Sequence, residues 1–421
     1  MEEKIQYDLI VIGGGPAGMM CAGRAAERGA RVLLLEKNPA LGKKLSITGG
    51  GRCNITNAIS DARELVSRYG KGGKALFPSF SRFGVEDAIQ FFRDRGLATK
   101  VEEEGRVFPV SNNANDVVRV LGAYLHEGRV RVVLNAAVEK ITAHDGHVRV
   151  ISSVGEFRSH QAAIATGGTA YPETGSTGEG FNWLRKLGHA VVQDDASLVP
   201  VVIKEPWVAA LSGLAFQAAR AGVWSKGKKI DSKIGKILFT HFGLSGPLIL
   251  NMSKGIGEAL KKGAVEISLD LFPEQSLAEF DKAVLSVFAD SQNKMLKNII
   301  NRILPPGVGE TALRVCKIDG EKYVNLVSRD ERLELVKFAK DIRLSVGGLL
   351  GLDKAIVSSG GVPPAEVDMR TMRSKIRPNV FVIGDALNFN RPSGGFSLQI
   401  CWTTGYLAGN AVEIHQISSD R

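Results

Sequence analysis

The sequence predicts an α/β fold, because apolar runs of strand length alternate with helix-favouring segments from the first residues onward. Residues 7–12 and 31–35 are runs typical of strands buried on both faces, and residues 17–28 between them are rich in good helix formers. Two later runs, 162–165 and 380–383, have the same apolar character. This order predicts a parallel sheet covered by helices, and a length of 421 residues suggests two or three domains.

The turn between the first strand and the first helix is the run Gly13-Gly14-Gly15-Pro16-Ala17-Gly18, a Gly-x-Gly-x-x-Gly pattern. Gly13 permits a tight turn, Gly15 lets the backbone approach a pyrophosphate, and Gly18 lets helix and strand pack closely. The helix N-terminus at Pro16 and Ala17 offers N–H groups and a positive dipole end to phosphates. With these flanks the pattern predicts a Rossmann-like dinucleotide-binding unit, and a glycine-rich turn without a ligand is the disfavoured alternative.

Glu36 ends the second strand, eighteen residues after Gly18. An acidic side chain at this distance is placed to accept hydrogen bonds from the ribose of an adenosine. Lys37 and Lys44, in the loop that follows, are also predicted to bind the cofactor.

The loop at residues 48–57 contains three consecutive glycines followed by Arg52, Cys53 and Asn54. Such a run predicts an irregular loop whose backbone approaches a bound group closely. We predict that Gly51, Arg52, Cys53 and Asn54 contact the remainder of a flavin dinucleotide, with Arg52 and Asn54 as hydrogen-bond donors. A flexible surface loop is the alternative. Cys53 is also a candidate catalytic residue, although a packing role is more common for cysteine.

Residues 61–128 are predicted to be mainly helical, and short strands are predicted at 130–134, 147–152 and 156–160. They lead into the apolar run 162–165, which ends in Thr166-Gly167-Gly168. Small residues at this point let the strand end pass beside a dinucleotide. We therefore include all three among the predicted cofactor-binding residues.

The run 380–383 ends in Gly384-Asp385. Asp385 is expected to accept a hydrogen bond from the ribityl chain of a flavin, and a helix N-cap is the alternative for this residue. A last group of predicted cofactor-binding residues begins the final helix: Gly394, Gly395, Phe396 and Ser397. Together with the earlier segments they predict non-covalent FAD as the cofactor.

Because the cofactor signals lie at both ends of the chain, the sequence predicts an insertion between them. The discontinuous FAD-binding domain is predicted at 1–193 and 347–421. Strand-like runs predict an inserted β-rich subdomain at 194–272 and 317–346, and helical patterns predict a small helical subdomain at 273–316.

The composition is that of an ordinary globular protein, and the net charge of +10 permits an anionic partner. The four cysteines form no Cys-x-x-Cys pair, which argues against structural zinc, a disulfide framework and a dithiol relay, so no metal is predicted. No signal peptide or membrane span is predicted, and the protein is expected to be cytoplasmic.

Several blocks are more specific than the glycine pattern, above all residues 48–57 and Thr240-His241-Phe242-Gly243-Leu244-Ser245-Gly246-Pro247. With them the chain resembles, over nearly its whole length, the BaiN-like (YhiN-like) bacterial FAD/NAD(P)-dependent oxidoreductases. The resemblance implies a flavoprotein fold of the glutathione-reductase type, with NADH or NADPH as a transient small-molecule reductant. Members of the family are similar to aminoacetone oxidase, to a flavoprotein of bile-acid metabolism and to ribosomal RNA dihydrouridine synthases. The chain departs from the family pattern at Asn388 and Ser397, where other groups are expected close to the isoalloxazine.

Two functions remain open at this point. Residues 200–262 hold ten basic and three acidic side chains, a net charge of +7, and segment 226–236 alone holds five lysines. A basic hairpin there would suit an RNA-modifying reductase, since phosphates supply most of the affinity for RNA, although a solvated basic surface is the alternative. The second function is a flavin-dependent oxidase of a small amine or aminoketone, which needs no such surface.

His241 is the other candidate catalytic residue, because an imidazole can donate a proton near neutral pH. We predict that it lies in the substrate cavity. A satisfied core histidine is the alternative.

Overall fold

The computed structural model describes residues 5–350 and 357–415, which form two compact units: 5–196 together with 357–415, and 197–350. In chain order the strands are β1 (Tyr7–Ile12), β2 (Val32–Leu35), β3 (Thr56–Asn57), β4 (Thr99–Val101), β5 (Arg106–Pro109), β6 (Arg131–Val133), β7 (Val138–His144), β8 (His147–Ser152), β9 (Gly155–Ile164), β10 (Val192–Ser197), β11 (Val201–Ile203), β12 (Ala215–Ser225), β13 (Lys228–Thr240), β14 (Gly243–Ser245), β15 (Val265–Asp270), β16 (Ile342–Leu349), β17 (Val357–Gly361) and β18 (Val380–Val382). The helices are α1 (Pro16–Glu27), α2 (Thr48–Gly51), α3 (Ala62–Ser67), α4 (Phe77–Phe80), α5 (Val85–Asp94), α6 (Ala114–Glu127), α7 (Glu179–Lys186), α8 (Pro247–Leu260), α9 (Leu277–Ala289), α10 (Leu296–Ile299), α11 (Val308–Val315), α12 (Arg329–Lys340) and α13 (Phe396–Ala411). Among the residues described, no helix combines the length and the apolar character needed to cross a membrane.

The first unit is built on a seven-stranded sheet in the order β6-β2-β1-β9-β8-β7, with β18 also paired to β9. Strands β6, β2, β1, β9 and β18 are parallel, and β8 and β7 extend the sheet with antiparallel pairs. Five of the six residues of β1 are buried, as expected for a strand with both faces covered. The predicted Rossmann-like α/β fold is confirmed.

The register of this sheet brings the predicted cofactor segments to one edge. Ile12 at the end of β1 pairs with Leu35 of β2 and with Ile164 of β9, and Ile164 pairs in turn with Val382 of β18. The residues that follow these strands therefore leave the sheet at the same carboxyl edge, where open α/β sheets bind their ligands.

The sequence missed several short strands in this unit. Residues 61–128, predicted to be mainly helical, also contain β4 and β5, which form an antiparallel sheet with β3. Strand β7 was not predicted either. Strands of two to four residues are too short to show a recognisable alternation of polar and apolar side chains.

The second unit contains a closed six-stranded barrel in the order β11-β14-β13-β12-β15-β16. Val265, Ile267 and Leu269 of β15 are buried in its hydrophobic core, whereas Glu266 between them is exposed. This barrel is the β-rich insertion that the strand-like runs predicted.

The helices of the second unit share the hydrophobic core of the barrel. Phe280 of α9 and Val336 of α12 belong to the same cluster of buried side chains as Ile267 and Leu269. The helices predicted as a small subdomain at 273–316 therefore belong to the same compact unit as the barrel. An amphipathic helix needs a partner for its apolar face, and the barrel wall supplies it.

Candidate active site

Glycine suits the three positions of the first turn for different physical reasons. A Cβ atom at Gly13, whose φ is +107°, would lie 2.5 Å from the carbonyl oxygen of Ala165, and one at Gly18 would lie 1.9 Å from the carbonyl oxygen of Gly13. A Cβ atom at Gly15 would meet no atom within 4 Å. Packing thus requires Gly13 and Gly18, whereas the space above Gly15, just before Pro16 opens α1, suits a ligand.

Glu36 is buried and supports the loops on either side of it. Its Oε2 accepts a hydrogen bond from Gly14 N (2.7 Å), and its Oε1 accepts bonds from Asn38 N (2.8 Å) and Asn38 Nδ2 (2.7 Å). A carboxylate has about four acceptor positions, so about one remains for a ribose hydroxyl. Contact with the adenosine ribose stays a prediction.

The two predicted lysines connect the loop after β2 with the loop after β9. Lys37 Nζ donates to Thr177 Oγ1 (3.0 Å) and pairs with Glu179 (3.1 Å). Lys44 Nζ donates to Ala170 O and Ser176 Oγ, each at 2.6 Å. Both lysines therefore hold loop 168–180 in place beside the carboxyl edge of the sheet.

The glycine run at residues 49–51 forms a left-handed turn. The φ angles of Gly49, Gly50 and Gly51 are +58°, +68° and +84°. A Cβ atom at Gly50 or Gly51 would meet no atom within 4 Å. The predicted irregular loop is thus confirmed, and its backbone faces open space.

The structure gives both Arg52 and Asn54 hydrogen-bond partners within the chain. Arg52 donates to Asn112 Oδ1 (2.6 and 3.1 Å) and to Glu102 Oε1 (2.5 Å), and its guanidinium lies 4.1 Å from the centre of the Phe108 ring. In the amide orientation that satisfies its neighbours, Asn54 donates to Val107 O (3.1 Å) and Thr56 O (2.9 Å) and accepts from Gly395 N (3.0 Å). Both side chains position the loop. These bonds occupy both amide N–H groups of Asn54, whereas they leave the Nη1 group of Arg52, so its contact with the flavin stays a prediction.

The catalytic role predicted for Cys53 is also corrected. Its side chain is fully buried, and burial raises the pKa of the thiol to about 12. Only the thiolate is a good nucleophile, and a thiol with this pKa stays protonated at neutral pH. Cys53 is a packing residue of the loop, where it adopts a φ of +58°.

The strand end at Thr166-Gly167-Gly168 offers a hydrogen-bonding group to a ligand. Thr166 Oγ1 is buried and has no hydrogen-bond partner among the described residues. Gly167 has a φ of +72°, and a Cβ atom there would lie 2.8 Å from Ser176 Oγ. A buried hydroxyl without a partner is costly unless a bound group satisfies it, so this position fits FAD.

The C-terminal segment contributes Asp385 and a buried arginine that the sequence did not single out. Asp385 Oδ1 accepts from Ser397 Oγ (3.1 Å) and lies 3.3 Å from Nε of Arg391, whose side chain is 1% exposed. Helix α13 has Gly395 as its N-cap, so the N-cap alternative for Asp385 does not apply. Arg391 is the only charged residue of an otherwise uncharged loop, and this was the sequence feature that could have indicated its role. Charged side chains are rarely buried, so the sequence did not predict a buried arginine here.

The remaining glycines of this segment are required by close packing. A Cβ atom at Gly384 would lie 2.8 Å from Ala17 Cβ, and one at Gly395 would lie 2.5 Å from Thr56 C and O. The Phe396 ring is buried against Tyr69 at 5.7 Å, and Tyr69 Oη donates to Phe396 O (2.9 Å). The Phe396 side chain therefore packs inside the protein, and the cofactor contact of this residue stays a prediction.

His241 belongs to the second unit, in the turn between β13 and β14. Its side chain is exposed, and its ring lies 4.9 Å from the Phe242 ring. The core-histidine alternative therefore does not apply, and the catalytic role stays a prediction.

One group of candidate metal ligands occurs among the described residues: Asp8, His160 and His415. Asp8 is already paired with Arg31 through bonds of 2.8 and 3.1 Å, and the two imidazole rings stack at 3.6 Å with an angle of 18° between them. Ring-nitrogen lone pairs lie in the ring planes, so stacked rings do not direct them at one ion. We assign no metal to this group.

Comparison with known proteins places this geometry in a family. The model of the HI0933-like protein Rossmann domain matches residues 7–411. The chain is 28% identical to the 3-dehydro-bile acid delta(4,6)-reductase of Clostridium scindens, over 95% of this chain and 98% of the relative. It is 27% identical to the ribosomal RNA dihydrouridine synthase of Escherichia coli, over 95% of this chain and 96% of the relative.

Among solved structures, the chain is similar to 3-ketosteroid-delta4-(5alpha)-dehydrogenase from Rhodococcus jostii in complex with 4-androstene-3,17-dione. The TM-score is 0.54 with 14% sequence identity, and the match covers 98% of each chain. This likeness shows the shared fold. The open space above Gly15 fits the dinucleotide, and because the family model matches residues 7–411, the chain belongs to the HI0933-like family and is an FAD-dependent oxidoreductase with a Rossmann-like FAD-binding domain.

Proposed function

We propose that the chain reduces a uridine of ribosomal RNA, with NADH or NADPH as the transient reductant, in the cytoplasm. The observation that carries the proposal is a basic hairpin formed by β12 and β13. The similarity to the ribosomal RNA dihydrouridine synthases of Escherichia coli and Haemophilus influenzae supports RNA as the substrate class.

The hairpin turns at Lys226 and Gly227, which have φ angles of +51° and +73°. Ser225 and Lys228 pair directly on either side, so the connection is a two-residue turn of the kind that matches the twist of paired strands. The exposed lysines of this segment are Lys226, Lys228, Lys229 and Lys233, and Lys236 is half-buried. Lys233 pairs with Asp231 at 3.5 Å, so the ammonium groups offered to phosphates are those of Lys226, Lys228 and Lys229 at the turn.

Trp224 extends this basic surface across the barrel. Its ring carries the Arg343 guanidinium at 4.2 Å and the Lys229 ammonium at 5.1 Å, and its Nε1 donates to Ser268 Oγ (2.9 Å). The fixed ring holds two cations beside the hairpin. Arg343 is also paired with the carboxylates of Asp341 (2.9 Å) and Glu266 (3.9 Å), so the charges offered to the phosphates of an RNA strand are mainly those of the lysines.

In this proposal the chemistry is divided between the cofactor and the chain. Bound FAD supplies the hydride that reduces the double bond of uracil. The proton that completes the reduction must come from an acid, and the exposed imidazole of His241 is our candidate. Three groups of the first unit would hold the cofactor: the backbone at Gly15, the Thr166 hydroxyl and Asp385.

A different explanation of the lysines is that they protect a strand edge. Residues 228–237 of β13 pair with β12, whereas β14 pairs with β13 only at Leu238–Thr240. Lysines on an open edge discourage pairing with other chains. If this is their only role, the second function, oxidation of a small amine or aminoketone, gains support.

Anaerobic reduction of the bound flavin by NADPH, compared with reduction by aminoacetone, separates the two functions.

We expect the triple change Lys226→Glu, Lys228→Glu, Lys229→Glu to weaken binding of a ribosomal RNA fragment regardless of base sequence. Each lost phosphate contact should reduce the slope of log affinity against log salt by roughly 0.7–0.9. FAD content and melting temperature should change little, because exposed charges contribute little to folding. Filter binding at two salt concentrations measures the effect.

A matched control is the triple change Lys282→Glu, Lys294→Glu, Lys317→Glu, which alters the net charge equally at exposed sites on the helical side of the same unit. If RNA affinity falls equally in both triple variants, the loss is due to the changed net charge and not to the position of the hairpin lysines. Affinity that falls in neither would leave the hairpin as a solvated surface.

A further inference from the structure

We propose that the ammonium group of Lys44 is the cation that stabilises the reduced, negatively charged form of the bound flavin. This inference rests on FAD binding by the first unit and not on the nature of the substrate. It gives Lys44 a redox role in addition to cofactor contact.

The position of Lys44 is fixed by the loop after β9. Its Nζ donates at 2.6 Å to both Ala170 O and Ser176 Oγ, which leaves one of its three N–H groups for another acceptor. The same Nζ lies 4.0 Å from the place that a Cβ atom of Gly167 would occupy. The charge is therefore held at the strand end where the dinucleotide is expected to pass.

Lys44 lies among several charged side chains. Burial lowers the pKa of Lys44, and the nearby carboxylates of Asp385 and Glu173 act in the opposite direction. Arg391, however, is buried at 3.3 Å from the Asp385 carboxylate and already neutralises it. Lys44 and Arg391 thus both lie near the partly buried Asp385 carboxylate, and their charges would attract an anionic ligand at the strand end.

Flavin reduction creates such an anion. Oxidised isoalloxazine is neutral, and uptake of two electrons and one proton, as one hydride from NADH or NADPH, gives a form with one negative charge. A cation fixed nearby favours the charged form over the neutral one. Lys44 would thus raise the reduction potential of the bound FAD, which is a tuning role for a protein charge close to the cofactor.

The test is Lys44→Met, which keeps an unbranched side chain and removes the charge, compared with Lys43→Met. Lys43 is the exposed neighbour, whose Nζ donates to Glu173 O (2.7 Å). We expect Lys44→Met to shift the equilibrium at least tenfold towards oxidised FAD, a potential lower by about 30 mV for a two-electron couple. Dye-coupled titration of the holoprotein measures it, and Lys43→Met should match the wild type. An unchanged potential in Lys44→Met, or an equal shift in both variants, overturns the proposal.

If Lys44→Met is isolated without FAD, its apoprotein is titrated with oxidised and with reduced FAD. By thermodynamic linkage the potential shift is set by the logarithm of the ratio of the two changes in affinity, about 30 mV for each factor of ten. The proposal requires the affinity for reduced FAD to fall at least tenfold more than that for oxidised FAD. Equal losses for both forms would assign Lys44 to the phosphates. RNA enters neither measurement, so a failure of the RNA proposal is distinguishable from a failure of this one.

Discussion

Gly15→Glu should give a colourless protein that folds but does not retain FAD. The Cβ position at Gly15 meets no atom of the chain within 4 Å, so a side chain there is tolerated by the fold. It would occupy the space expected for the pyrophosphate, and its carboxylate would repel that group. We expect FAD affinity to fall at least about 100-fold, which corresponds to ~2.8 kcal/mol. Flavin absorbance of the purified protein and titration of the apoprotein measure the loss.

Gly18→Ala is the matched control for this experiment. A methyl group at Gly18 would lie 1.9 Å from Gly13 O, so we expect the fold itself to lose about 3 kcal/mol, at the upper end for overpacking. Apo Gly15→Glu should unfold at nearly the same denaturant concentration as the wild-type apoprotein. A yellow Gly15→Glu protein would contradict the placement of the pyrophosphate above Gly15.

Recovery of FMN from denatured wild type, or of flavin that stays attached to the acid-precipitated chain, would contradict non-covalent FAD.

His241→Asn should lower the rate of substrate-dependent flavin reoxidation by roughly 100-fold, the lower limit for loss of general acid catalysis. Reduction of the flavin by NADPH should continue, because this step needs no proton from His241. FAD content should stay constant, since His241 belongs to the barrel unit and the FAD-binding segments belong to the other. Stopped-flow absorbance with each half-reaction started separately measures the two rates.

His144→Asn serves as the control for an exposed histidine, since His144 ends β7 and stacks on His147 at 4.9 Å. We expect wild-type rates for it in both half-reactions. If His241→Asn also reoxidises at the wild-type rate, another group donates the proton. The role of His241 would then be confined to the turn between β13 and β14.

The order of the cofactor segments was readable from the sequence, because each one is a local pattern. The glycine turn after β1 needs only neighbouring residues: Gly13 for a positive φ, Gly18 for close packing and Pro16 to begin a helix. Parallel strands end at a common edge, so four apolar runs were enough to predict that the segments meet. The two-residue turn at Lys226 and Gly227 is equally local, and the predicted hairpin forms there.

The tertiary structure decided which side chains face the cofactor and which hold the loops. Arg52 turns to Glu102 and Asn112, fifty and sixty residues away, and Asn54 reaches Gly395, far along the chain. The helices of the second unit likewise share one core with the barrel. A sequence pattern within ten or twenty residues indicates the local backbone conformation and which side chains tend to be buried. The partner of a polar side chain is set by which distant segment packs against it, and that is known only once the chain is folded.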